Sequence, residues 1–165
     1  MKSEIAIRIS IRRWVTFFIV ALVLSGLTAF ALETELAWLV RLFSGKQNGM
    51  SLWINKVYQA LKETNRRYPF LAYGYDWLAF AHLTIAVAFY GVLDDPLKNK
   101  WIITFGRIAC IMIFPLAFIA GYARGIPFIW QLIDCSFGVI GLIPLTIVDH
   151  KIKELENICA IRGSA

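Results

Sequence analysis

The chain has 165 residues, 59% of them hydrophobic and 15% aromatic, with a mean hydropathy of +0.64. That is more apolar surface than one soluble core of this length can hide, so a lipid bilayer is the expected solvent. A net charge of +6 and a pI near 9.4 would fit nucleic acid only if Lys and Arg formed one exposed patch. Here they flank apolar runs, which excludes nucleic acid as the expected partner and favours the lipid bilayer with its anionic headgroups.

The expected fold is all-α: one integral membrane domain over residues 1–165, a four-helix bundle with an interfacial amphipathic helix between the first and second spans. The first span runs from Trp14 to about Leu32, close to the roughly 20 residues needed to cross about 30 Å of hydrocarbon. Arg8, Arg12 and Arg13 precede it. The basic start and the Ala29-Phe30-Ala31 triplet also fit a signal peptide with an A-x-A site, so retention of this helix stays open. Arg12-Arg13 matches a twin-arginine signal only weakly, because Ile11 stands where that motif has a polar residue.

Between Glu33 and Tyr75 the spacing predicts an amphipathic helix over about 51–64, after a turn at Asn48-Gly49 and with Ser51 as its cap. Leu52, Trp53, Ile54, Val57, Tyr58 and Leu61 share one face, and Asn55, Lys56, Gln59, Lys62 and Glu63 fill the other. A helix lying in the outer interface is the natural reading; a partner-binding or lid helix is the alternative.

The second span, Trp77 to about Leu93, has Asp76 as its expected cap. Asp95-Pro96 reads as an N-cap followed by proline at the first helical position, so the third helix should begin at once and cross from Trp101 to about Tyr122. Arg124-Gly125-Ile126-Pro127 supplies a reversal, and the fourth span covers about 127–148, ending before Asp149, His150 and Lys151. With four spans, Lys2, Arg8, Arg12, Arg13, Lys98, Lys100, Lys151, Lys153 and Arg162 fall on one side, which the positive-inside rule makes cytoplasmic, with both termini. The bias is moderate, because Arg41, Lys46, Lys56, Lys62, Arg66 and Arg67 are spread over the opposing loop. Trp14, Trp77, Trp101 and Trp130 mark span edges, as interfacial tryptophans do.

Asp134 lies inside the fourth span, where a carboxylate costs roughly 2.5–3.5 kcal/mol unless protonated, paired or turned toward protein or water. Gln131, Asp134, Gly138 and Gly141 share a stripe whose small residues invite a close helix. Folding the hairpins back from their turns brings His82, flanked by Ala79 and Ala86, to about the depth of Asp134. An imidazole beside a buried carboxylate either fixes helix register or exchanges a proton. Arg107, in the third span, can snorkel to headgroups or reach Asp94, Asp95 or Asp149, beside a seam of Gly106, Cys110, Ala117 and Gly121. Pro115 and Pro144 are expected to kink their helices.

These residues, His82, Asp134, Gln131 and Arg107, form the expected intramembrane polar site; no catalytic residue, metal or cofactor is predicted. His82 and His150 lie at depths that do not suit a bis-histidine haem. Cys110 and Cys135 can approach one depth, which leaves a redox pair open without establishing disulfide geometry. Walker, dinucleotide, H-E-x-x-H and G-x-S-x-G motifs are absent from the sequence.

Tyr75-Asp76-Trp77-Leu78-Ala79-Phe80-Ala81-His82, Asp95-Pro96, Arg124-Gly125-Ile126-Pro127 and Leu132-Ile133-Asp134-Cys135-Ser136-Phe137-Gly138 together resemble a recurring group of small uncharacterised bacterial membrane proteins. The resemblance covers under half the chain and implies a bacterial inner (plasma) membrane, with no reaction or ligand. The leading functional expectation is a non-enzymatic packing or partner-binding component, joined to a membrane protein or to itself as a homo-oligomer. A proton-coupled carrier or channel module using Asp134 and His82 is the main alternative, and a membrane redox enzyme the second.

Overall fold

The computed structural model describes residues 4–45 and 48–163. Lys2 and Lys46, which enter the charge bias, lie outside the described residues, as does the side chain of Arg162. The chain is 90% helical, with no strand among the described residues. Its helices are α1 (Glu4–Phe30), α2 (Leu32–Leu42), α3 (Gly49–Arg67), α4 (Tyr73–Asp94, after a 3-10 turn at Pro69–Ala72), α5 (Lys100–Ala123) and α6 (Phe128–Gly163). Helices α1, α5, α6 and α4 with its preceding turn are long and apolar enough to cross a membrane. Only 17% to 33% of each apolar window is buried inside the protein, so most of that surface needs lipid or another apolar partner.

Several boundaries differ from expectation for local reasons. Helix α1 already includes Glu4, the first described residue, and Arg8 Nε donates to Glu4 Oε1 one turn back, which supports the basic leader as part of the helix. It stops at Phe30, and α2 follows a one-residue break at Ala31. Asn48, not Ser51, caps α3: its side-chain oxygen accepts from the Ser51 N–H at 2.8 Å. Asp76 falls inside the first turn of α4 instead of capping it. Helix α6 runs through Asp149, His150 and Lys151, which carry it onward through Lys153–Asp149 and His150–Glu154 pairs four residues apart. Pro115 and Pro144 both lie inside uninterrupted helices.

The α4–α5 connection is also longer than expected. Asp95 Oδ1 accepts from the backbone N–H groups of Leu97 and Lys98, an Asx turn, and α5 begins only at Lys100. Asn99 closes the turn by donating to the Gly91 and Asp95 carbonyls, and a Cβ on Gly91 would stand 3.1 Å from its side-chain oxygen. The Lys98 N–H, helped by the Lys98 ammonium and the Leu97 N–H, holds the Asp95 carboxyl below its ordinary value.

The chain divides into two compact units, and α1 and α4 contribute residues to both. The first comprises 1–21 and 86–165. In it, α1 buries Ile7, Ile11, Val15 and Phe18, one face at spacings of four, four and three. Phe18 and Phe89 meet at 4.7 Å between ring centroids, and Phe89 and Leu145 close over Gly106. Further along, Leu145, Val148, Ile152 and Leu155 are 0–1% exposed. The second unit is 22–85. There α2 and α3 lie antiparallel, because Asn65 Nδ2 donates to Glu33 Oε2 at one end and Ser51 Oγ to the Phe43 carbonyl at the other. Leu36 and Ile54 are buried on these helices. Tyr75 donates to Asn65 Oδ1, tying α4 to the pair. The apolar face of α3 is thus largely turned toward protein, while Trp38, Leu42 and Leu52 remain exposed.

Candidate functional site

The α5–α6 hairpin carries polar chemistry at both ends. At its turn, Gly125 takes φ +64°, a left-handed conformation that glycine adopts without strain. The Ile126 N–H reaches the Gly121 carbonyl at 2.9 Å and the Gly125 N–H the Tyr122 carbonyl at 3.2 Å, a Schellman closure. Gln131, only 7% exposed, donates from Nε2 to the Ile126 carbonyl at 2.8 Å. Its side chain lies over Gly121 so closely that a Cβ there would stand 2.7 Å from it. Farther along, a Cβ on Gly138 would meet the Cys110 carbonyl at 2.7 Å, and one on Gly141 the Cys110 sulfur at 2.8 Å. The expected small-residue seam is therefore the surface on which α5 and α6 make close contact.

Asp134 sits on this hairpin but outside its closed contact. Half-buried, it lines an open cavity of about 240 Å³ with Ile113, Leu116, Ala117, Ala120, Gly121, Arg124 and Ile126. Among the described residues of its unit, no hydrogen bond or ion pair reaches its carboxylate. Register in this hairpin rests on Gln131 and the glycines, so Asp134 is surplus to the packing of α5 on α6.

Arg107 is at the opposite end. Its Nη1 donates to Asp149 Oδ2 at 3.1 Å, and Lys153 Nζ reaches the same oxygen at 2.7 Å. Asp149 is 7% exposed, so two cations neutralise one buried carboxylate. Of the destinations expected for Arg107, Asp149 is the one it reaches; its Nε is buried without a partner. Lys100 and Glu156 make a second link between α5 and α6 at 2.8 Å.

His82 belongs to the second unit and Asp134 to the first. In its own unit, His82 donates from Nδ1 to the Leu78 carbonyl one turn back at 2.8 Å, leaving Nε2 for other partners. Gly26 of α1 packs on this part of α4: a Cβ there would lie 2.9 Å from the Ala79 carbonyl and 3.2 Å from the His82 Cβ. The small-residue flank expected at His82 is thus filled in part by α1, and Ala79 is fully buried.

Cys110 and Cys135 are both buried free thiols. The Cys110 sulfur faces Gly141, six residues beyond Cys135 and about 9 Å farther along α6. His150 is exposed and lies 3.5 Å from Glu154. Among the described residues, no group of three or more His, Cys, Asp or Glu could hold a metal ion.

Sequence reasoning offered Asp149 as one of three acids within reach of Arg107 but read it as a helix stop, and so missed Lys153 as its second cation. Lys153 at i+4 was the available signal. The Glu33–Asn65–Tyr75 chain was also missed, since partners 32 and 10 residues apart leave no local pattern. Comparison with protein-family models, curated proteins and solved structures gives no match.

Proposed function

We propose that this chain is a non-enzymatic, multi-pass component of a bacterial inner membrane. Its four long helices gather into a bundle with both termini cytoplasmic, and its Asp134 cavity receives a hydrogen-bond-donating or cationic group from another membrane protein. The observation that carries this reading is the Asp134 carboxylate, without a partner among the described residues of its unit, in an open, mostly apolar cavity. A carboxylate held in an apolar span is costly unless a donor or water reaches it, and the packing of its own hairpin does not use it. The basic residues Arg8, Arg12, Arg13, Lys98, Lys100, Lys151 and Lys153 support the orientation. Exposed Trp38, Leu42 and Leu52 support a place for the α2–α3 pair in the outer interface.

A proton-coupled carrier is the second reading, favoured by the same half-open, protonatable carboxylate and by the free Nε2 of His82. Native purification with mass spectrometry, followed by reconstitution, separates the two. The docking role predicts a membrane protein that co-purifies with the natural chain, is lost with Asp134→Leu, and is accompanied by no proton or solute flux. Flux that Asp134→Asn abolishes, without a retained partner, would replace docking by transport.

A further inference from the structure

A second polar cavity, of about 170 Å³, lies within the first unit between the start of α1 and the end of α4. Arg8, Ile11 and Arg12 line it from α1; Val92, Leu93, Asp94 and Pro96 line it from α4 and the following turn. Its floor is apolar and closely packed, since Ile11 is 2% exposed and Val92 fully buried. Arg8 and Arg12 are one turn apart on one face of α1. The Arg8 Nε is engaged by Glu4, whereas neither Arg12 nor Asp94 has an ion-pair or hydrogen-bond partner among the described residues. An exposed cation and an exposed anion thus line one cavity without bonding to each other, so both remain available to a ligand.

From this we infer that the cavity binds the headgroup of a phospholipid carrying both a phosphodiester and an ammonium, as phosphoethanolamine lipids do. Arg12, assisted by the free end of Arg8, takes the phosphate through charge-assisted N–H bonds, which guanidinium geometry favours. Asp94 accepts from the ammonium. The cavity, of about 170 Å³ and open on one side, has room for a phosphate and a short ammonium-bearing tip. The unpaired acid separates this cradle from a basic patch that would select any anionic lipid, because Asp94 repels a second negative charge. Both α1 and α4 continue from the cavity as apolar spans, which offer the acyl chains a surface to follow. The inference does not involve Asp134 and stands or falls apart from the docking role.

The test is native mass spectrometry of the full chain, released from vesicles of mixed phosphatidylethanolamine, phosphatidylcholine and phosphatidylglycerol. One phosphatidylethanolamine should be retained in preference to the other two. Arg12→Gln should lower that retention about tenfold, the size of one lost charge-assisted contact, and Arg12→Lys should restore part of it. Asp94→Asn should keep phospholipid bound but erase the preference for ethanolamine over choline. Asp134→Leu should leave retention unchanged, and unaltered melting of each variant in detergent shows that folding is intact. Competition by soluble glycerophosphoethanolamine at concentrations matching the lipid would assign the site to a free phosphodiester and overturn the lipid source. Equal retention of all three lipids, or no effect of Arg12→Gln and Asp94→Asn, would overturn the site itself.

Discussion

Helix α6 carries two carboxylates, Asp134 and Asp149, about 22 Å apart along its axis, and their surroundings are opposite. Asp149 is buried and shared by Arg107 and Lys153; Asp134 is half-buried, faces an open cavity and has no partner among the described residues of its unit. The two differ in burial, but burial alone does not say what each residue does. Pairing does: Asp149 neutralises a cation that α5 carries inside its own helix, so it serves the fold, whereas the hairpin around Asp134 is closed by Gln131, Gly121 and Gly138. An acid that its own hairpin leaves unused points to a group outside that hairpin.

The contrast can be broken most forcefully at Asp149. Asp149→Leu removes the carboxylate shared by Arg107 and Lys153; because Arg107 keeps partial access to water, stability should fall by about 2 kcal/mol in denaturant titrations, less than for a fully buried pair. Adding Arg107→Met should recover a good part of the loss, and the resulting non-additivity measures their coupling. The packing between the two acids comes next. Gly138→Ala would drive a Cβ against the Cys110 backbone carbonyl and cost roughly 1–3 kcal/mol. Gly121→Ala is as tight at 2.7 Å but meets the Gln131 side chain, which can swing away by giving up its bond to Ile126, about 1 kcal/mol. Thermal melts of the two variants should rank in that order.

The smallest expected effect sharpens the comparison with a half-buried, paired acid at a turn. Asp95 has a folded-state pKa below its unfolded value, so its stabilisation is complete above the ordinary carboxylate range and is lost as pH falls through the lowered value. Between neutral pH and about pH 5 the natural chain and Asp95→Asn should differ by a constant amount. Below that, the difference should shrink, as melting midpoints across pH will show.

The long apolar helices and the α5–α6 seam were legible because their causes are local: hydropathy over some twenty residues, and small residues at helical spacing. The turn at Arg124-Gly125-Ile126-Pro127 was legible for the same reason. The extension of α6 was not, because Asp149-His150-Lys151 was read as a polar stop when Asp149 pairs with Lys153 one turn ahead and His150 lies beside Glu154. Helix α2 was hidden by the absence of any glycine or proline between Phe30 and Leu42 to announce a break. At the site, the stripe from Gln131 to Gly141 was readable, but the division of labour within it depends on which side chain meets α5, and only coordinates reveal that.

The most direct measurement places Asp134→Leu and Asp149→Leu side by side in one detergent and compares their melting midpoints with that of the natural chain, alongside retention of the membrane protein that the docking role predicts will co-purify. Asp134→Leu should melt with the natural chain while losing the partner, and Asp149→Leu should melt well below both. If Asp134→Leu falls as far as Asp149→Leu, Asp134 is part of the fold and the docking role is wrong.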